Sequence, residues 1–186
     1  ILSFGMNVSN IGTKISYTGQ SDEFIPINLR FGSAMRMQLD EYNELGIALD
    51  LNKLLVPTTP IYNDDKEIVA GKDPEVSVPV GMFRSFYDAP GIIKDNGERS
   101  VFREEMQEIM YSVGVEYWYI NQFAIRAGYF NEHQRKGNRK YFTAGTGLKL
   151  SAIGIDFSYL IPVNQQNPLA NTVRISLTLD IGEYSK

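Results

Sequence analysis

Apolar and polar residues alternate with a period of two along most of the chain. The clearest case is the stretch 110–130, MYSVGVEYWYINQFAIRAGYF, in which two alternating runs are joined by Ile120 and Asn121. Alternation of this kind is typical of β-strands, and two strands joined by so short a link form an antiparallel hairpin. The pattern therefore predicts an all-β protein built from antiparallel strands.

The same alternation predicts about eight strands in total. Besides the hairpin, they cover residues 2–17, with a bulge or bend at Gly12, and residues 29–40, 45–52, 141–150, 153–159 and 172–181. Most approach the ~9 to 11 residues that cross a bilayer at a tilt, whereas strands of soluble proteins typically have about 5 to 6. Short links alternate with long ones, as expected of an outer-membrane barrel with periplasmic turns and extracellular loops.

Aromatic residues cluster at both ends of the predicted strands, around Trp118 and around Tyr129 and Tyr141, as two interfacial girdles would. We therefore expect a transmembrane, antiparallel, up-and-down β-barrel; the alternative is a soluble lipocalin-like or sandwich fold with the aromatic residues inside. In the barrel, the charged strand face opposite the apolar one would line a polar lumen. The residues expected to face this lumen are Arg30, Arg36, Asp50, Glu116, Arg126, Asp156 and Arg174, and Glu116 and Arg126 are placed to pair.

The longest link, 54–106, is too long for a structureless loop and is expected to be a partly helical extracellular insertion. Near-helical spacing predicts one helix within 78–87, with an apolar ridge of Met82, Phe83, Phe86 and Tyr87. A second helix is predicted over 98–106. Two interpretations stay open for the ridge, since it could pack into the barrel mouth as an inert cap, or line or gate a partner or ligand site.

Composition excludes several kinds of function. The net charge of -4 and pI of about 5.1 argue against a nucleic-acid partner, for which a basic surplus is usual. Cysteine is absent, so disulfides and thiolate metal sites are excluded, and His133 is the only histidine. No catalytic motif occurs, so we expect neither an enzyme nor a cofactor. A transmembrane helix would need a run of about 18 apolar residues, and the sequence contains no such run.

A basic run between two predicted strands would lie outside the cell on this topology. Its charged members are Arg135, Lys136, Arg139 and Lys140. They could meet lipopolysaccharide phosphates or an acidic partner. The alternative is a solvated hairpin tip without a binding role.

Several contiguous blocks, spread over nearly the whole chain, resemble the PorV family, outer-membrane components of the type IX secretion system. These blocks are SNIGTKISY at 9–17, LNKLLVPT at 51–58, VGVEYWY at 113–119, RAGYF at 126–130, KGNRKYF at 136–142 and NPLANT at 167–172. The family belongs to the wider group of barrels similar to the fatty-acid transporter FadL, which have fourteen strands. The chain begins at Ile1 without a plug segment, and we expect residues 1–186 to be a single barrel domain or the C-terminal part of one.

The resemblance implies a non-enzymatic role in the outer membrane of a Gram-negative bacterium, among its lipid and lipopolysaccharide. Such proteins bind secreted cargo through its C-terminal signal domain, collect it from the translocon and deliver it to an attachment complex containing PorU. The ridge and the basic run are then the hypothetical partner contacts. The alternative is a FadL-like transporter of hydrophobic small molecules, and a third possibility is a self-sufficient eight-stranded barrel.

Overall fold

The computed structural model describes residues 1–16, 22–163 and 172–180. Within these ranges, one eight-stranded sheet dominates, with the strand order β1-β4-β5-β10-β11-β12-β13-β14. Its strands are β1 (Leu2–Ser9), β4 (Asn28–Gln38), β5 (Asn43–Leu54), β10 (Met110–Tyr119), β11 (Phe123–Asn131), β12 (Lys140–Leu150), β13 (Ile153–Pro162) and β14 (Val173–Leu179). Strands β10 to β14 pair antiparallel with their neighbours, so the predicted all-β, antiparallel architecture is confirmed.

The hairpin at 110–130 forms where the pattern predicts it, as β10 and β11. Ile120 and Asn121 both have positive φ, of 52° and 53°, and the Gln122 N–H donates to the Tyr119 carbonyl at 3.0 Å. Two consecutive positive φ values define a type I′ turn, whose twist matches that of the flanking strands. Asn121 tolerates this conformation, whereas a β-branched residue such as Ile120 is strained in it.

Strand register places apolar side chains together on one face of the sheet. On β10, β11 and β12, the residues opposite one another are Val115, Ala127 and Ala144. On β13 and β14, Phe157 is opposite Ile175. This apolar face is the more exposed one, since Ile175 is 72% exposed and Leu177 is 66% exposed. A sheet in water has the opposite arrangement, with its apolar face covered.

The two edges of the sheet, β1 and β14, have no second neighbour among the described residues. Closure into a barrel therefore stays a prediction. No helix of the described ranges is both long and apolar enough to cross a membrane.

The first predicted strand is divided into two in the structure. The strand predicted over 2–17 ends at Ser9, because Asn10 takes a positive φ of 57° that breaks the extended conformation. Residues Ile15–Ser16 form a separate short strand, β2, which pairs with β3 (Asp22–Glu23). Tyr17 and Ile181, at the ends of two predicted strands, lie outside the described residues.

The chain divides into two compact units. The first contains residues 1–5, 32–50 and 111–186, and the second contains residues 6–31 and 51–110. In the second unit, the long link holds α1 (Val78–Arg84), α2 (Val101–Gln107) and two small hairpins, β6 (Ile61–Tyr62) with β7 (Ile68–Ala70) and β8 (Ile92–Ile93) with β9 (Arg99–Ser100).

Both helices of the long link lie in the predicted places but with different bounds. Helix α1 ends at Arg84, so Phe86 and Tyr87 lie in the turn that follows and not in the helix itself. Helix α2 starts at Val101 because Ser100 caps it, its hydroxyl accepting from the Arg103 N–H at 3.4 Å.

Candidate functional site

An exposed row of apolar side chains runs along α1 and the turn after it. It consists of Val80, Phe83, Phe86 and Tyr87, and we call it the aromatic stripe. Phe83 is 74% exposed, and Phe86 and Tyr87 are about half exposed. The turn keeps helical spacing past Arg84, because the Tyr87 N–H donates to the Arg84 carbonyl at 2.8 Å. Met82, predicted as part of the ridge, is instead only partly exposed.

The opposite side of this segment is buried and bears small or polar residues. Gly81, Ser85 and Asp88 are all buried, at positions that follow helical spacing. Gly81 lies so close to the Phe24 ring that an added Cβ would be 2.7 Å from it. The segment therefore presents its apolar side to the outside and buries its small and polar side, the reverse of an ordinary surface helix.

Beneath the stripe segment lies a buried group of charged residues, which we call the Lys53 cluster. It consists of Lys53 at the end of β5, Glu105 and Glu108 at α2, Asp88, and the hydroxyl of Thr58. The Lys53 Nζ donates to Glu105 Oε2 at 2.9 Å and to Glu108 Oε2 at 2.7 Å. Lys53 and Glu105 are almost fully buried. These pairs link segments that are 52 and 55 residues apart in sequence, which is why sequence patterns do not reveal them.

Further hydrogen bonds reach the carboxyl groups of the Lys53 cluster, and one carboxyl oxygen is left without a hydrogen-bond partner among the described residues. Thr58 Oγ1 donates to Glu108 Oε1 at 2.8 Å, and the Ala89 N–H donates to Glu105 Oε1 at 3.0 Å. The Thr58 N–H donates to Asp88 Oδ2 at 3.3 Å, whereas the buried Asp88 Oδ1 has no hydrogen-bond partner among the described residues. Desolvation, above all, raises the pKa of Asp88 to about 6, and the nearby Glu105 and Glu108 add to the rise.

On the polar face of the sheet, Arg126 bridges two acids on different strands, and we call this arrangement the Arg126 clamp. Its Nε donates to Glu116 Oε2 on β10 and its Nη1 to Asp156 Oδ1 on β13, both at 2.5 Å. The predicted pairing of Glu116 with Arg126 is confirmed. To reach β13 from β11, the guanidinium crosses β12 at Gly147, where a Cβ would lie 2.7 Å from Nη1 and 2.6 Å from Asp156 Oδ1.

A cavity of about 210 Å³ opens beside the clamp. Trp118, Arg126 and Asp156 line it, together with Lys149 and Asp180. Trp118 also contacts the guanidinium, which lies 5.2 Å from its ring centre. Leu148 and Ala152 also line the cavity, so its lining combines charged, aromatic and aliphatic groups.

The structure does not bring the other residues expected to face the lumen into this clamp. Arg36 pairs with Glu44 at 3.2 Å, and Arg174 lies opposite Ser158 on the neighbouring strand. Asp50 lies close to Gly32, and Arg30 is exposed on β4. Whether these residues face a lumen stays a prediction.

The basic run forms a tight turn in which one of its arginines is bound internally. Residues Gln134–Lys136 make a single 3-10 turn, and Arg139 donates from Nε and Nη2 to the two oxygens of the buried Glu132, each at 2.8 Å. The hydrogen bonds to Glu132 raise the pKa of Arg139. Arg135 is exposed, whereas Lys136 and Lys140 are partly buried. The predicted basic patch is therefore smaller than its sequence indicates.

Among the residues 1–16, 22–163 and 172–180, no group of three or more His, Cys, Asp or Glu could hold a metal ion. Glu105 and Glu108 of the Lys53 cluster and both acids of the Arg126 clamp are bound by basic side chains.

Comparison with known protein families gives a match over part of the chain. The model of the family described as "Type IX secretion system protein PorV" matches residues 2–61, a range that includes strands β1, β4 and β5 of the sheet. No curated protein matches the chain. The family match confirms the resemblance predicted from the sequence, and a match to part of the chain is consistent with a correspondence to the C-terminal part of such proteins.

Proposed function

We propose, from the premise that the chain is a PorV-type component of the type IX secretion system, that it is a non-enzymatic receptor for secreted cargo. It binds the C-terminal signal domain of the cargo, takes the cargo from the translocon and passes it to the attachment complex that contains PorU. The family match over residues 2–61 is the observation that carries this proposal.

The proposed location is the outer membrane of a Gram-negative bacterium, with the sheet forming part of a transmembrane barrel. The exposed apolar face supports this proposal, because it needs an apolar environment on the side where Ile175 and Leu177 project. Strands β4, β5 and β12, of 11, 12 and 11 residues, are long enough to cross a bilayer at a tilt. The charged clamp on the other face would then belong to the polar lumen.

The aromatic stripe is the proposed contact for cargo. Exposed aromatic side chains are the residues most often found at the centre of protein interfaces, where they contribute most of the binding energy. In the stripe, Phe83 and Phe86 project from a segment that is held from below by Gly81 and the Lys53 cluster. Arg135, which is exposed at the basic turn, is proposed as a second, weaker contact.

Copurification tests the proposed contact. The double substitution Phe83→Ser with Phe86→Ser is expected to lower recovery of a tagged signal domain by about tenfold or more, as the loss of two aromatic contacts implies. Phe102→Ser is the matched control, since Phe102 is 72% exposed in the same unit but lies outside the stripe. Equal recovery of the signal domain with the unmodified protein, the double variant and the control variant, all three correctly folded, would show that the stripe does not bind cargo.

The FadL-like transporter remains the second candidate. The cavity beside Arg126 is the observation that bears on it, because Trp118, Leu148 and Ala152 give part of its lining an apolar character beside the charged residues. Copurified lipid beside Phe83 and Phe86 and uptake of a hydrophobic compound would favour transport, whereas a stoichiometric protein partner without uptake favours the receptor.

A further inference from the structure

Asp88 is the carboxyl group of the Lys53 cluster that Lys53 does not bind. The Lys53 ammonium is paired with Glu105 and Glu108, and both of these acids repel a negative charge on the buried Asp88. An ionised Asp88 would therefore be a buried negative charge close to two other carboxyl groups. Burying unpaired charge is costly, and a protein avoids the cost by keeping one group protonated.

The hydrogen bonds indicate which carboxyl group holds the proton. Both oxygens of Glu105 and of Glu108 accept hydrogen bonds, including those from Lys53. Asp88 accepts hydrogen bonds from Thr58 alone, whose N–H donates to Oδ2 at 3.3 Å, and its Oδ1 is buried without a hydrogen-bond partner among the described residues. The charged groups that act on Asp88 are Glu105 and Glu108, whereas the Lys53 ammonium is held by these two glutamates.

We propose that the Lys53 cluster is a proton-operated latch, in which a proton on Asp88 keeps residues 85–89 packed against α2 and loss of this proton loosens them. The latch lies directly under the aromatic stripe, because Phe86 and Tyr87 occupy the positions between the buried Ser85 and Asp88. Acid conditions therefore hold the two aromatic side chains in the packed arrangement. This link to cargo rests on the proposed function, whereas the latch itself does not.

The size of the pH effect follows from the difference between the pKa of Asp88 in the packed segment and its pKa in the open segment. Asp88 titrates near its ordinary pKa of 3.8 when the segment is open, and at about 6 when it is packed. Because the packed form has the raised pKa, its advantage is full below pH 3.8, decreases through the interval up to about pH 6, and is lost above it. Lowering the pH from 7 to 5 should therefore raise the protection of the packed segment by about tenfold.

Hydrogen exchange of the full chain in detergent tests the latch. The reporters are the amides of Thr58 and Ala89, which donate to Asp88 and Glu105. After correction for the intrinsic exchange rate, their protection is expected to rise by about tenfold between pH 7 and pH 5. In Asp88→Asn, which is neutral at both values, protection at pH 7 should exceed that of the unmodified protein and should not change with pH. Asp95→Asn, which removes an exposed acid of the same unit, should behave like the unmodified protein.

Three results would overturn the proposal: a flat profile in the unmodified protein, an unchanged pH dependence in Asp88→Asn, or weaker protection at pH 7 in that variant. Amides of β11 serve as the internal standard for an intact sheet, since Phe123–Asn131 belongs to the other unit. No cargo is present in this experiment, so its failure would leave the receptor function untouched. Conversely, a failure of cargo copurification would leave the latch untouched.

Discussion

Gly147 is expected to be indispensable for the Arg126 clamp, and a single added methyl group tests this. A Cβ at position 147 would lie 2.6 Å from Asp156 Oδ1 and 2.7 Å from Arg126 Nη1, closer than any stable contact. Both atoms end flexible side chains, so Gly147→Ala should displace the ion pair and leave the strands in place. Gly114 lies on the same face of the sheet, but a Cβ there would meet nothing nearer than 3.9 Å. Gly114→Ala is therefore the matched control.

The magnitude comes from two opposing effects. Alanine in place of glycine within a strand stabilises by about 0.5 to 1 kcal/mol through the lower entropy of the unfolded chain. The clamp is about one third exposed at Arg126, so its loss should cost about 1 to 2 kcal/mol, between the values for surface and buried pairs. Gly114→Ala should thus raise the free energy of unfolding. The free energy of unfolding of Gly147→Ala should be about 1 to 2 kcal/mol lower than that of Gly114→Ala.

Urea unfolding of the full chain in lipid vesicles measures both variants. In the background of Arg126→Gln, Gly147→Ala should lose most of its cost, because the ion pair that it breaks is already absent and Asp156, no longer held by Arg126, can move away from the added Cβ. The double-mutant cycle reports this coupling. Equal unfolding free energies for Gly147→Ala and Gly114→Ala would refute the reasoning. So would strict additivity of Gly147→Ala with Arg126→Gln.

Two further substitutions test the turn and the buried cluster. Ile120→Asn should stabilise the hairpin by about 1 kcal/mol, because asparagine tolerates the positive φ of 52° that strains isoleucine, and a lower urea midpoint than that of the unmodified protein would contradict this. Lys53→Met should remove the ammonium group that binds Glu105 and Glu108 and destabilise their unit by about 3 to 5 kcal/mol. Lys72→Met is the control, because it removes an exposed contact with Tyr87 and should cost less than 1 kcal/mol. Proteolysis of the 51–110 segment compares the two lysine variants.

The sheet could be predicted from the sequence because the alternation of apolar and polar residues involves only neighbouring residues in each strand. Alternation within β10 and β11 fixes which residues share a face, and a short link such as Ile120 and Asn121 fixes the pairing partner. Strand ends were less predictable. The pattern predicts one strand over 2–17 with a bulge or bend at Gly12, whereas the backbone conformation at Asn10 ends the strand at Ser9.

The buried charges could not be predicted in the same way. Lys53 meets Glu105 across 52 residues, and each of these side chains is an ordinary polar residue in its own segment. The role of Gly147 likewise depends on side chains from β11 and β13 that cross over it, so it cannot be read from β12 alone. The pairing of Glu116 with Arg126 was accessible because the two residues lie directly opposite each other in the hairpin.

Each unit, taken by itself, has an exposed apolar surface and charged side chains that pair with one another, but the two apolar surfaces need different surroundings. The apolar face of the sheet spans strands of up to 12 residues, which is long enough for lipid to cover it. Helix α1 has only seven residues, or about 10 Å at 1.5 Å per residue, so its stripe is far too short to cross a bilayer. The stripe also rests on a buried ionic cluster, which costs stability that an apolar contact would not. A short, exposed apolar surface on such an ionic support is better suited to a protein partner than to lipid, and this supports the proposal that cargo is its occupant.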